Sequence, residues 1–166
     1  MNDLKPNRPT ILLLDDHMIN LNLASSMLKK VNINTVQFQE SLDALRYLYS
    51  GTNTIDVIIQ DIVRPGKLNG IEFLEEILND DRLKDIPILF VTCMEHKYIK
   101  ESVENFNLRY DKINSIKKPL RRSKLYLKIS DILSNTDKNK YQSTINKLQE
   151  SINDSEPILE EQIDTK

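Results

Sequence analysis

Two carboxylates stand side by side at the end of an aliphatic run. In "TILLLDDHMIN", residues 10–20, Ile11 to Leu14 lead directly into Asp15 and Asp16. A third acid, Asp61, closes the run "IDVIIQD"; Thr92 closes "IPILFVT"; Lys118 follows closely on "INSI". Two or three acids gathered in one pocket do not all stay ionised without a cation. A hard divalent ion resolves the conflict, and Mg²⁺ is the usual choice because it takes a few carboxylates, a carbonyl and waters. Such an ion gives no reason for a hydroxyl and an ammonium beside it. A phosphoryl group does, since its oxygens call for a cation, a point-charge donor and a hydroxyl. A carboxylate can itself be the nucleophile that receives the phosphoryl group. Asp61, alone at its strand end, is the candidate acceptor.

Whether these groups meet depends on the elements that carry them. Short runs rich in aliphatic and β-branched residues read as strands at 10–14, 34–38, 55–61, 86–92 and 113–116. Between them, amphipathic segments read as helices at 19–31, from Ser41 to just before Gly51, at 70–80, 95–106 and 119–135. Leu21, Ala24, Leu28 and Val31 share one face of the first helix. Ser41 is a candidate N-cap, Gly51 a candidate C-terminal stop, and Pro119 suits a first helical turn. Continuous apolar strands alternating with helices predict an α/β fold: a doubly wound, five-stranded parallel sheet flanked by five helices. In such sheets ligands sit beyond the carboxyl ends of the strands. Asp15, Asp16, Asp61, Thr92 and Lys118 all fall there.

Bulk properties narrow the setting. The 166 residues carry a net charge of −2 with both signs interspersed, so no uniform basic field points to nucleic acid. Lys117, Lys118, Arg121, Arg122 and Lys124 form a basic run without interleaved aromatics, read as a charged or docking face. The lone cysteine, Cys93, forms no internal disulfide and reads as packing. No apolar run approaches the roughly 20 residues of a membrane span. The opening lacks the regions of a signal peptide. The expectation is a cytoplasmic protein, nuclear as well if eukaryotic, with no membrane partner. Residues 1–8 read as an N-terminal extension, 9–135 as one domain, and 136–166 as a polar tail, partly helical or disordered. Within the tail Tyr141, Ile145, Leu148 and Ile152 fall on one helical stripe. His17 reads as a loop histidine and His96 as a surface one. No G-x-x-x-x-G-K-[ST] motif is present, which excludes a P-loop nucleotide enzyme.

The pieces "LLLDDHMIN", "IIQDIVRPGKLNG", "ILFVTC" and "SIKKPL" together resemble the receiver domain of two-component response regulators. The resemblance covers about residues 8 to 135 and implies a flavodoxin-like fold. By that resemblance Asp61 is the phosphoacceptor, and Asp15 and Asp16 are metal-site acids, Asp16 the closer ligand. The backbone carbonyl of Val63 completes the Mg²⁺ site, Thr92 is the switch hydroxyl and Lys118 the phosphate-binding lysine. The partner it implies is a histidine kinase or a histidine phosphotransfer protein, with an unknown downstream protein and no nucleic acid. The form D-D-H-x-x-N resembles receivers of multistep phosphorelays, including stand-alone fungal stress regulators. Val63 and Met94 occupy the positions that flank the approach of hydrolytic water. Departures are one extra residue before Gly70, Arg64 in place of an apolar residue, a longer segment between Thr92 and Lys118, and Ser115 where an aromatic is usual. Tyr110 is a candidate substitute for that aromatic. The expected role is a signalling phosphoacceptor rather than an enzyme acting on other molecules. Two alternatives are an unphosphorylated adaptor and an aspartyl-nucleophile phosphohydrolase. The latter wants a second acid two residues after the nucleophile, and Asp61 is followed by Ile62 and Val63.

Overall fold

The computed structural model describes residues 7–63, 69–105 and 114–154. Strands β1 (Thr10–Leu14), β2 (Asn34–Phe38), β3 (Val57–Gln60), β4 (Ile88–Thr92) and β5 (Asn114–Lys117) alternate with helices. The helices are α1 (Met18–Lys30), α2 (Ser41–Tyr49), α3 (Gly70–Asn79), α4 (His96–Asn105) and α5 (Arg122–Asn153). All strand pairs are parallel, in the order β2-β1-β3-β4-β5. This is the doubly wound parallel sheet that the alternation of elements predicts, in the flavodoxin-like order that the resemblance implies.

Strand sequence follows strand position. The interior strands β3 and β4 are buried along their whole length, and β1 almost so. The edge strands β2 and β5 are partly exposed and carry Asn, Gln, Ser and Lys. Side chains alternate across the sheet and divide the core in two. Leu13, Ile59 and Val91 pack with Leu21, Ala24 and Leu28 of α1 and Leu125 and Ile129 of α5. Leu12, Leu14, Ile58 and Phe90 pack with Leu45 of α2, Phe73 and Leu74 of α3 and Ile99 of α4. Chain order reverses between β1 and β3, so the crevice beyond these strands is the switch point.

Several boundaries differ from the sequence expectation. Ser41 does not cap α2: Glu40 holds the extended cap conformation, its carbonyl accepts from Ala44 N, and Ser41 is the first helical residue. Pro119 does not open α5. Lys118–Pro119 is a cis peptide, and the helix starts only after Arg121. β3 and β4 each begin two residues later than expected. Ahead of β3 the Asp56 N–H donates to Thr10 O at 2.9 Å while its side chain, in place of a backbone carbonyl, accepts Thr10 N at 2.8 Å. Ahead of β4, Pro87 has no N–H to offer and pairs only through its carbonyl, which accepts Ile58 N at 3.0 Å.

Helix α5 also runs on past residue 135. A non-helical residue, Asp137, breaks it, and its carboxylate accepts Lys140 N at 2.9 Å as a local cap. Beyond the break Tyr141, Ile145 and Leu148 are buried in the α1/α5 core, with Ile152 packed against it. The Tyr141 hydroxyl donates to Asp56, and Lys140 pairs with the same carboxylate at 3.1 Å. That anchor lies at the edge where strands begin, opposite the candidate site. Residues 155–166 lie outside the described residues, as do Arg64 and Tyr110. Among the described residues no helix is long and apolar enough to cross a membrane.

Candidate functional site

Where β1 ends, the chain turns sharply into α1, and the turn is built on Asp15. Its Oδ1 accepts the His17 backbone N–H at 2.9 Å, and Asn20 Nδ2 reaches both carboxylate oxygens at 3.0 and 3.1 Å. Asn20 is three residues into α1, so the helix brings the amide back over the loop. Burial disfavours the charge on Asp15, which is 7% exposed. The Asn20 amide, the His17 N–H and the Lys118 ammonium outweigh it and hold the carboxyl below its ordinary value. Asp16 is half-buried; its carboxylate meets His17 Nδ1 at 2.9 Å and its carbonyl accepts from Gln39 Nε2 at 2.8 Å.

Asp61 follows β3 directly and is equally buried, at 7% exposed. Its backbone N–H donates to Leu14 O, which extends the β1–β3 ladder one residue and sets the carboxylate beside the Asp15 loop. Oδ1 accepts Val63 N at 3.2 Å. Just before it, Gln60 is buried and donates to Gly70 O at 3.2 Å. Gly70 opens α3 so close to this loop that a Cβ there would lie 2.5 Å from Ile62 Cα and 2.7 Å from Asp61 O. Only glycine fits against the Asp61–Ile62 backbone.

Lys118 closes the cluster. Its ammonium donates to Asp61 Oδ2 at 2.6 Å and to Asp15 Oδ2 at 3.0 Å. Burial works against its charge, but the hydrogen bonds to Asp61 and Asp15 prevail and raise its pKa above the usual lysine value. Its backbone N–H donates to Thr92 O at 2.9 Å, tying the ends of β4 and β5 together. Thr92 is fully buried, and its hydroxyl accepts Met94 N at 3.3 Å. Among the described residues that hydroxyl contacts neither Asp61 nor the Lys118 ammonium.

The sheet therefore brings Asp15, Asp61 and Lys118 into direct contact, with Asp16 one residue away. Ligand-capable atoms of Asp15, Asp16 and His17 lie within 4.8 Å of one another. Mainly hard oxygen donors at a carboxylate cluster fit Mg²⁺. Asp61 stands outside that grouping, held to it through Lys118. His17, read from sequence as a plain loop histidine, has its imidazole in the group. Val63 is 63% exposed, whereas Met94 packs toward the α2/α3/α4 core. Asn20, Gln39 and Gln60 hold the two loops. Sequence patterning gave a sign only of Asn20, through its spacing from the acid pair. At the position three before Lys118, Ser115 Oγ meets His96 Nδ1 at 3.0 Å, joining β5 to the start of α4.

The family model for the response regulator receiver domain matches residues 11–130. The chain belongs to that family. Receiver relatives include the chemotaxis protein CheY of Pseudomonas aeruginosa, 32% identical over 84 residues, half of this chain and 65% of that one. The polar-differentiation response regulator DivK of Brucella anthropi is 24% identical over 57% of this chain and 74% of its own. The 3′,5′-cyclic-nucleotide phosphodiesterase regA of Dictyostelium discoideum is 22% identical over 79% of this chain, but the match spans only 16% of that protein. Among solved structures, the chemotaxis protein CheY4 of Vibrio cholerae superposes with a TM-score of 0.66 at 21% identity. It covers 76% of this receiver and 99% of that chain. The chain is thus a receiver domain of response regulator type, and it spans less than two thirds of the phosphodiesterase and of the Pseudomonas CheY that it matches.

Proposed function

We propose that this receiver accepts a phosphoryl group on Asp61 from a phosphohistidine of a histidine kinase or histidine phosphotransfer protein. The observation that carries the reading is the Lys118 ammonium, 2.6 Å from the Asp61 carboxylate and shared with Asp15. A buried acceptor carboxylate needs a fixed cation at the oxygens that gather charge as the phosphoryl group arrives. In the transfer, an Asp61 oxygen forms the new bond to phosphorus while the phosphorus–nitrogen bond of the donor breaks. The electron pair goes to the imidazole, which leaves as a neutral base after taking up a proton. Asp15 and Asp16, with Asp61 and the Val63 carbonyl, are the residues to hold Mg²⁺, which when bound neutralises charge on the transferring oxygens. Lys118 then exchanges its bond to the carboxylate for one to a phosphoryl oxygen. Thr92 turns its hydroxyl from the Met94 amide to another oxygen. Those two movements, at the ends of β4 and β5, change the surface around α4 and β5 that a downstream protein reads.

The test is incubation with a small phosphoryl donor and Mg²⁺, followed by intact mass measurement. The parent gains one phosphoryl group; with Mg²⁺ chelated, or as Asp61→Asn, it gains none. A phosphoryl group retained by Asp61→Asn removes the assignment.

A further inference from the structure

We propose that the cavity beside Asp61, between the sheet, α1 and the loop into α5, binds a small uncharged apolar molecule bearing one acceptor oxygen. The cavity encloses about 450 Å³. Its floor is Leu13, Ile59 and Val91, from the strand face turned toward α1 and α5; Leu21 and Ala24 form one side and Leu120 the other. Residues 119–121, which a helix starting at Pro119 would have coiled, are non-helical chain here, and Pro119 and Leu120 serve as the outer wall. The volume falls within the roughly 300–1,000 Å³ of small-molecule sites. An apolar space of this kind offers water no partners on its floor.

Charge at the mouth selects the occupant. Away from Asp15, Asp61 and Lys118 at the mouth the lining carries no charged group, so a charged body seated on the floor would be buried without a partner and an uncharged one is favoured. Two of the ammonium's three hydrogens are taken by the two carboxylates, and the third has no partner among the described residues. One acceptor oxygen on an otherwise apolar, ring-sized body satisfies that hydrogen while the body fills the floor. The phosphoacceptor reading uses the rim and leaves this floor without a role. Because Lys118 belongs to both, a bound ligand alters the group that Asp61 chemistry uses, and the coupling is reciprocal.

The probe is 1-indanone, an uncharged bicyclic ketone, titrated into the full chain without phosphoryl donor while methyl carbon–proton spectra are recorded. Saturable shifts are expected at the methyls of Leu13, Leu21, Ile59, Val91 and Leu120, with those of Phe73-side residues such as Ile58 and Leu74 still. Ala24→Phe, which fills the cavity from α1 without touching the acidic rim, is expected to weaken binding about tenfold or more, and Ala24→Leu by less. An unchanged amide spectrum elsewhere shows that each variant is folded. A saturating amount of 1-indanone is expected to change the rate of phosphoryl labelling about fivefold. Absence of saturable shifts, or equal affinity in the filled variants, overturns the site. An unchanged labelling rate overturns its link to Asp61. If beryllofluoride alone drives Leu120 into the cavity, the chain's own loop is the occupant and the ligand proposal fails. A protein that binds 1-indanone yet takes no phosphoryl group upholds this site while refuting the acceptor reading.

Discussion

Replacing Lys118 by methionine removes the charge that separates two carboxylates and keeps most of the side-chain volume. The Lys118 side chain is 19% exposed, and those of Asp15 and Asp61 are 11% and 9% exposed. Removing one partner from a fully buried ion pair costs about 3–5 kcal/mol. Some solvent reaches all three groups, which reduces the expected loss to about 2 kcal/mol. For a domain of this size that lowers Tm by about 4–8 °C in metal-free buffer. Millimolar Mg²⁺ should restore more stability to Lys118→Met than to the parent, because the ion replaces the missing cation. The pH dependence has a fixed sign. Asp15 titrates below its unfolded value, so its contribution is present above about pH 4 and lost as pH falls through the depressed value. Lys118 titrates above its unfolded value, so its contribution is present below about pH 10 and lost as pH rises through the raised value. The variant, keeping only Asn20 and the His17 N–H on Asp15, should begin to lose stability at a higher pH on the acid side. Urea unfolding followed by circular dichroism, with and without Mg²⁺, measures all of this. Equal metal-free stability of parent and variant would refute the reasoning.

Asp16→Asn should weaken Mg²⁺ binding by calorimetry and raise Tm in metal-free buffer, since one charge leaves a crowded acidic group; unchanged Mg²⁺ affinity would remove Asp16 from the metal site. Leu148→Ala should cost about 2–5 kcal/mol in urea unfolding, because Leu148 is fully buried in the α1/α5 core; a loss typical of a surface residue would mean that residues after the Asp137 break do not stabilise the domain. The phosphorylated form should decay slowly, since neither Val63 nor Met94 orients a water in line with phosphorus. Val63→Asn and Met94→Glu should hasten decay by about 100-fold, the low end for a positioned proton-handling group, and unaltered decay in both would show that these positions do not set the lifetime.

The sheet was legible because strands covered on both faces must be apolar throughout. "TILLL", "VIIQ" and "ILFVT" are apolar but for their end residues; the first two run directly into Asp15 and Asp61, and the third ends on Thr92. The convergence of Asp15, Asp61 and Lys118 follows from that topology and from spacing. Other features depend on contacts that spacing does not encode. Lys118 is placed by its backbone bond to Thr92 O, 26 positions earlier in the chain. The late start of α5 was hidden because Pro119 suits a first helical turn and Arg121 is no customary cap. Glu40 likewise gives no cap signal beside Ser41. The stripe from Tyr141 to Ile152 was visible, yet what anchors its first residue is Asp56, 85 positions away in the chain. Among polar neighbours such a stripe reads equally well as a solvated helix.

The central claim, that the phosphoryl group resides on the Asp61 carboxylate, is tested most directly by trapping the acyl phosphate. Borohydride reduces an aspartyl phosphate to homoserine, and peptide mass spectrometry then locates the changed residue. After labelling in Mg²⁺, homoserine should appear at position 61, with Asp15 and Asp16 intact. Homoserine at another aspartate, or a labelled protein with no homoserine at all, would contradict the account.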